Sequence, residues 1–181
     1  MLKNQELVRR GFTAAPASYL FKASKKTIDS IYEIKENLRE ERPLVFVICT
    51  NEFDWAKTEF TKEKLKEFLR GRFPDETLED LFEKLSFLYL ENIKARETVL
   101  CFLTQCDHNI LTVGTFGWWG AFLNNNNFQS TKKINTDIYS KGIENQHIVI
   151  YYKKQFREGW ELSNEIKLED LFLSNWIGME D

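Results

Sequence analysis

Leu44-Val45-Phe46-Val47-Ile48-Cys49 is an unbroken apolar run of strand length, bounded by Pro43 behind and by Thr50 and Asn51 ahead. A short run without polar alternation, rich in β-branched residues, is the pattern of a parallel strand covered on both faces. It predicts a central strand, and a central parallel strand requires helical crossovers on either side of it in the chain. Those are legible. Pro16 stands where a first helical residue would, and Leu20, Ser24, Ile28, Ile31 and Leu38 recur at helical spacing up to Arg39. Beyond the strand, Glu52 to Phe60 predicts a second helix with acidic residues in its first turn.

The same alternation continues downstream. Thr98 to Cys106 predicts a helix, and His108 to Val113 a short strand that ends at Gly114. A helix follows that glycine at once, and His147 to Lys153 is a β-branched and aromatic strand. Strands alternating with helices predict an α/β fold, a Rossmann-like parallel sheet with helices on both faces. At 181 residues the chain is expected to form a single lobe over 1–181. Residues 61–96 carry Leu65, Phe68, Leu69, Leu78, Leu81, Phe82, Leu85 and Leu88 at spacings that predict a helical insertion, broken near Gly71 to Pro74. Asn124 to Asn145 reads as an exposed loop. Fifteen Phe, six Tyr and five Trp predict a core heavy in rings.

Charge and cysteine usage exclude several functions. A net charge of −3, with no Lys/Arg stripe interleaved with rings, gives no electrostatic basis for nucleic-acid binding. Lys25 to Lys26 and Lys132 to Lys133 read as solvated faces. Cys49, Cys101 and Cys106 have no paired ligand spacing, so neither a disulfide framework nor a metal site is expected, and each is expected to act as a small buried hydrophobe. No Gly-x-Gly-x-x-Gly follows a strand, no stretch has the apolar length of a membrane span, and there is no Asn-x-Ser/Thr sequon.

The segment richest in chemical information is Thr104-Gln105-Cys106-Asp107-His108 followed by Val113-Gly114-Thr115-Phe116-Gly117-Trp118-Trp119-Gly120-Ala121. It is a strand, a Gly/Thr turn and a helix with small first residues. Such a junction aims the backbone N–H groups of Thr115, Phe116 and Gly117 outward from the carboxyl end of a parallel strand, where phosphates are held. An ordinary buried βα turn with Trp118 and Trp119 packed beneath it fits the same residues. His108, between helix and strand, is read as a structural histidine with a ring pKa near 6.5.

These two runs closely resemble the C-terminal motif of the galactoside alpha-1,2-fucosyltransferase family. Two further stretches resemble that family in order and spacing: Pro43 to Trp55, and the closing Phe172-Leu173-Ser174-Asn175-Trp176-Ile177-Gly178. Gly11 to Ala23 is similar to the first helix of its C-terminal lobe. The resemblance implies the donor-nucleotide half of a two-lobed, GT-B-type, inverting transferase that moves fucose from GDP-fucose to the 2-hydroxyl of a terminal galactose, without metal or other cofactor. It implies that Gly114, Thr115, Phe116 and Gly117 hold the diphosphate, that Asn51 and Glu52 lie near the nucleotide, and that His108 and Trp118 support the turn. It also implies an N-terminal lobe as partner and a Golgi membrane location.

The chain departs from the family pattern at two places. The hallmark His-x-Arg-Arg-Gly-Asp, whose arginine would stabilise the departing diphosphate, is absent. At Val8-Arg9-Arg10-Gly11, Leu7 replaces the His and Phe12 the Asp, so Met1 is read as falling just after the motif and no catalytic residue is assigned. Val99 occupies the place of an Asp expected to accept hydrogen bonds from the guanine edge, with Glu97 the nearest substitute. An inactive binding or scaffolding module is therefore the alternative expectation.

Overall fold

The computed structural model describes residues 9–38, 43–124 and 147–181, and the side chains of all of these except 32–38. In chain order the elements are α1 (Ala17–Leu38), β1 (Leu44–Ile48), α2 (Phe53–Glu59), α3 (Lys62–Leu69), α4 (Asp75–Lys84), β2 (Leu85–Tyr89), α5 (Arg96–Thr104), β3 (Asn109–Leu111), α6 (Thr115–Phe122), β4 (Val149–Tyr152), α7 (Glu161–Glu165), α8 (Leu168–Leu171) and β5 (Ile177–Met179). Among the described residues every pairing between the named strands is parallel, in agreement with the α/β reading. The strands fall into two sheets, β1-β2 and β3-β4-β5.

Alternating side chains on the strands decide which helix covers which face. In the three-stranded sheet, Ile148, Ile150 and Tyr152 pack with Tyr19 and Ala23 of α1. Val149 and Tyr151 point the other way, onto Ala121 and Trp118 of α6 and onto Leu168, Leu171, Phe172 and Trp176. In the two-stranded sheet, Leu44, Phe46, Leu85 and Phe87 pack with Ile28 of α1 and with Leu65, Leu69, Leu78, Leu81 and Phe82 of α3 and α4. Helix α1 thus lies across both sheets on one side and ties them together.

Three sequence expectations are corrected. The segment 61–96 is not wholly helical, because it contains β2, which pairs with β1 from Leu44↔Leu85 to Ile48↔Tyr89. Leu81, Leu85 and Leu88 keep helical spacing, but an available strand edge outweighs so weak a local preference and draws Leu85 to Tyr89 into extended form. Second, β1 is not covered on both faces, since Val45 is 47% and Leu88 46% exposed. Third, Cys49 and Cys101 are exposed and Cys106 is half-buried, Cys49 because it ends this incompletely covered strand. Asn124, placed at the start of an exposed loop, is fully buried; the remainder of that loop, with Lys132 and Lys133, lies outside the described residues. The ring-rich core is present, with Phe21, Phe60, Phe46 and Phe87 in contact along one side.

Candidate nucleotide-binding crevice

The chain runs outward from β1 to β2 and then returns across to β3, from which it runs to β4 and β5. The interval between β1 and β3 is therefore the topological switch point, where the loops leaving neighbouring strands diverge and leave a crevice outside the carboxyl ends. A cavity of about 1400 Å³ opens there. Asn51, Glu52, His108, Gly114, Phe116 and Gly117 all line it, although 56 residues or more of sequence separate the first pair from the rest.

Local chemistry shapes both strand ends. At the end of β1 the Thr50 hydroxyl accepts from the Glu52 N–H at 3.0 Å, which curls the chain into α2 and leaves Asn51 exposed at the rim. At the end of β3, Gly114 has φ of 107°, a region that side chains rarely adopt, and it caps α6. The N–H groups of Thr115, Phe116 and Gly117 form the first turn of that helix, so none has a partner within it, and the positive end of the helix dipole faces the crevice. Thr115 itself is exposed and its side chain is not part of the lining.

Trp118 anchors this turn from below. Its Nε1 donates to the Leu171 carbonyl at 2.8 Å, and its ring stacks on Phe122 at 4.8 Å. Trp119, expected beside it in the core, is 48% exposed and meets Trp118 edge-on. His108 serves the strands: its Nδ1 accepts from the Ile148 N–H at 3.2 Å, joining the start of β3 to the start of β4. Burial lowers its pKa below the usual 6.5, against an opposing pull from Asp107, so the expected unshifted value is corrected. Next to it, His147 Nε2 lies 2.7 Å from Asn109 Oδ1, and burial together with His108 depresses its pKa to about 4.

The sequence reading missed two cations, Lys94 and Arg96, which line the crevice from the segment after β2. Their signal was hidden, because that segment was read as part of an insertion and not as a third loop leaving a parallel strand. Both are exposed, and with Glu52 and Asp107 they give the crevice mixed charge. Val99 is 8% exposed and forms part of the apolar wall, whereas Glu97 is exposed and outside the lining. Arg9 and Arg10 are exposed and also outside it. Among the described residues no group of His, Cys, Asp and Glu is placed to hold a metal ion, and no helix is long and apolar enough to cross a membrane.

The sequence is 30% identical to galactoside alpha-(1,2)-fucosyltransferase 2 of Oryctolagus cuniculus over 81 residues, 45% of this chain and 18% of that protein. The match thus spans less than a fifth of the relative. No solved structure matches. The model of glycosyl transferase family 11 matches residues 8–180, nearly the whole chain, and with a parallel α/β fold beneath it the chain belongs to glycosyl transferase family 11.

Proposed function

We propose that this chain forms the donor-binding lobe of a galactoside alpha-1,2-fucosyltransferase, taking GDP-fucose in the crevice between the carboxyl ends of β1 and β3. The observation that carries this reading is the convergence of Asn51, Glu52, Gly114, Phe116 and Gly117 on one cavity at the switch point. Five of the six residues expected at the donor come from two strand ends distant in sequence. In this reading the first-turn N–H groups of α6 take the diphosphate, with Lys94 and Arg96 supplying positive charge for the negative charge that builds on the departing GDP. A half-buried β1 end and the Val99 wall then receive the base. The galactose-terminated acceptor, a second lobe that carries it and a Golgi membrane location follow from the family resemblance.

A second reading has its own support. Val99 offers the base no acceptor, and Glu97, Arg9 and Arg10 stand outside the crevice lining, which together fit a family member that has lost the chemistry and kept the fold. Calorimetric titration with GDP separates the two, with Thr115→Pro as the control. Proline is tolerated at the first helical position and removes one N–H donor, so the variant keeps α6 and loses part of the anion site. Micromolar binding weakened by the variant supports the donor lobe. Absence of binding at millimolar GDP leaves the inactive module.

A further inference from the structure

The end of β3 is held by a side chain from a distant part of the sequence. Tyr19, in the first turn of α1, is fully buried and donates its hydroxyl to the Leu111 carbonyl at 2.6 Å. The Ile150 carbonyl stands 3.3 Å from the same oxygen. A phenol has one proton to give, so the shorter contact takes it. The two carbonyls belong to neighbouring strands, and Leu111↔Tyr151 is the last pair in the register of β3 with β4. The hydroxyl therefore closes the seam between these strands at its final rung. Burial raises the Tyr19 pKa above the usual phenol value, which keeps the proton on the oxygen. The ring packs against Tyr152 of β4, with centroids 4.9 Å apart.

This rung carries the turn into α6. Leu111 stands three residues before Gly114, and among the described residues Thr112 and Val113 take part in no hydrogen bond. The turn is thus placed by its two ends. One end is α6, which packs through Gly120 on Leu103 and through the Trp118 bond to Leu171. The other is β3, a strand of three residues with few ladder bonds, where one buried hydroxyl bond is a sizeable part of what fixes it. Tyr19 also reaches the facing rim. Ala14, Ala15 and Pro16, which lead into α1, line the crevice together with Gly114, Phe116 and Gly117, and the Tyr19 N–H donates to the Pro16 carbonyl at 3.1 Å. A single residue joins two rims of the crevice, one by its main chain and one by its side chain.

We propose that Tyr19 is a positioning residue of the donor site: through the Leu111 carbonyl it sets where the Gly114 turn stands relative to the start of α1, and so the width of the crevice on that side. Its consequence for a ligand rests on the donor-lobe reading, whereas its hold on the turn rests on the geometry alone. Tyr19 is not part of the lining, so its effect on any ligand passes through the backbone that it holds.

The test compares Tyr19→Phe with Ile28→Val in the full chain. Tyr19→Phe removes the hydroxyl and keeps the ring. Ile28→Val is the control, because it trims the buried face of the same helix where α1 meets the two-stranded sheet, at a comparable cost in stability. Two quantities are read: GDP affinity by calorimetry, and the NMR order parameters of the Val113, Gly114 and Thr115 amides. Tyr19→Phe should weaken GDP binding by about three- to tenfold, against less than about twofold for Ile28→Val. The three order parameters should fall from about 0.85 towards about 0.6 in Tyr19→Phe and stay at the parent's values in Ile28→Val. Equal changes in the two variants, no change in Tyr19→Phe, or a turn already mobile in the unaltered chain each overturns the proposal. If the unaltered chain binds no GDP, the donor-lobe reading fails, and the order parameters alone decide by the same criteria. Should Tyr19→Phe not fold, 4-aminophenylalanine at position 19, a weaker donor to the same carbonyl, takes its place in both measurements.

Discussion

Gly120 of α6 packs on Leu103 of α5 so closely that a Cβ on Gly120 would stand 2.7 Å from the Leu103 Cβ. That contact sets the separation of the helix that presents the Gly114 turn to the crevice from the helix that forms the apolar wall. A methyl group there must push α5 and α6 apart, because the nearest atom is a Cβ and not the end of a flexible chain. Gly120→Ala is expected to destabilise the fold by about 1–3 kcal/mol, the usual cost of overpacking. Thermal unfolding checks it, and an unchanged midpoint would show that the helices yield freely.

Gly114 makes the second prediction. Its φ of 107° is open in space but unfavourable for any side chain. Gly114→Val is expected to cost about 1–3 kcal/mol of stability or to redirect the first turn of α6. GDP affinity measured beside the unfolding midpoint distinguishes these outcomes, since a redirected turn loses affinity with little change in midpoint.

Arg96 and Lys94 are expected to act on ligand and not on fold. Both are exposed, and among the described residues neither takes part in an ion pair. Arg96→Ala should leave the free energy of unfolding within about 0.5 kcal/mol of the parent and weaken GDP binding several-fold, with a reduced dependence on salt. Equal affinities at low and high salt for parent and variant would remove Arg96 from the donor site.

Val99 offers the opposite experiment. Val99→Asp places a carboxylate at a position 8% exposed, so the free protein should lose stability on burial of an unpaired charge. If the wall receives a guanine, GDP should restore more stability to the variant than to the parent, with a gain in binding on the order of 2–5 kcal/mol. A variant that is destabilised and gains nothing from GDP places the base elsewhere.

The His147 ring is held neutral. Its pKa is lowered from 6.5 to about 4, by burial first and by His108 second, with Asp107 opposing. The unfolded chain therefore takes up a proton that the folded chain refuses. Stability from this group is fully present above about pH 6.5 and is lost as pH falls through the window down to about 4, below which it levels off. Unfolding midpoints from pH 7.5 to 4 should decline across that window in the parent and less in His147→Gln, which keeps a hydrogen-bonding group beside Asn109. Parallel declines would assign the acid loss to other groups.

Much of the candidate site was legible before any coordinates. The Thr50-Asn51 strand end, the Gly114 turn and the small residues opening α6 are local patterns, fixed by steric and hydrogen-bonding needs of adjacent residues. Lys94 and Arg96 were not legible, because their relevance depends on Leu85 to Tyr89 being a strand, whereas leucines at positions 81, 85 and 88 carry helical spacing. Trp118 and Trp119 illustrate the same limit, since adjacency gives them equal apolar character while only the packing of α6 on Leu171 decides which one is half-buried and which exposed.

By itself the sequence determined the alternation of β1, β3 and β4 with helices, their parallel sense and the two turns whose N–H groups and side chains meet at the switch point, because each rests on spacings of a few residues. Only the tertiary structure decided which strand edges pair, that the sheet divides between β1 and β3, and that the interior strand of the sequence pattern has an open edge. Backbone edges carry no residue-specific signature, so pairing is settled by what stands beside them in space.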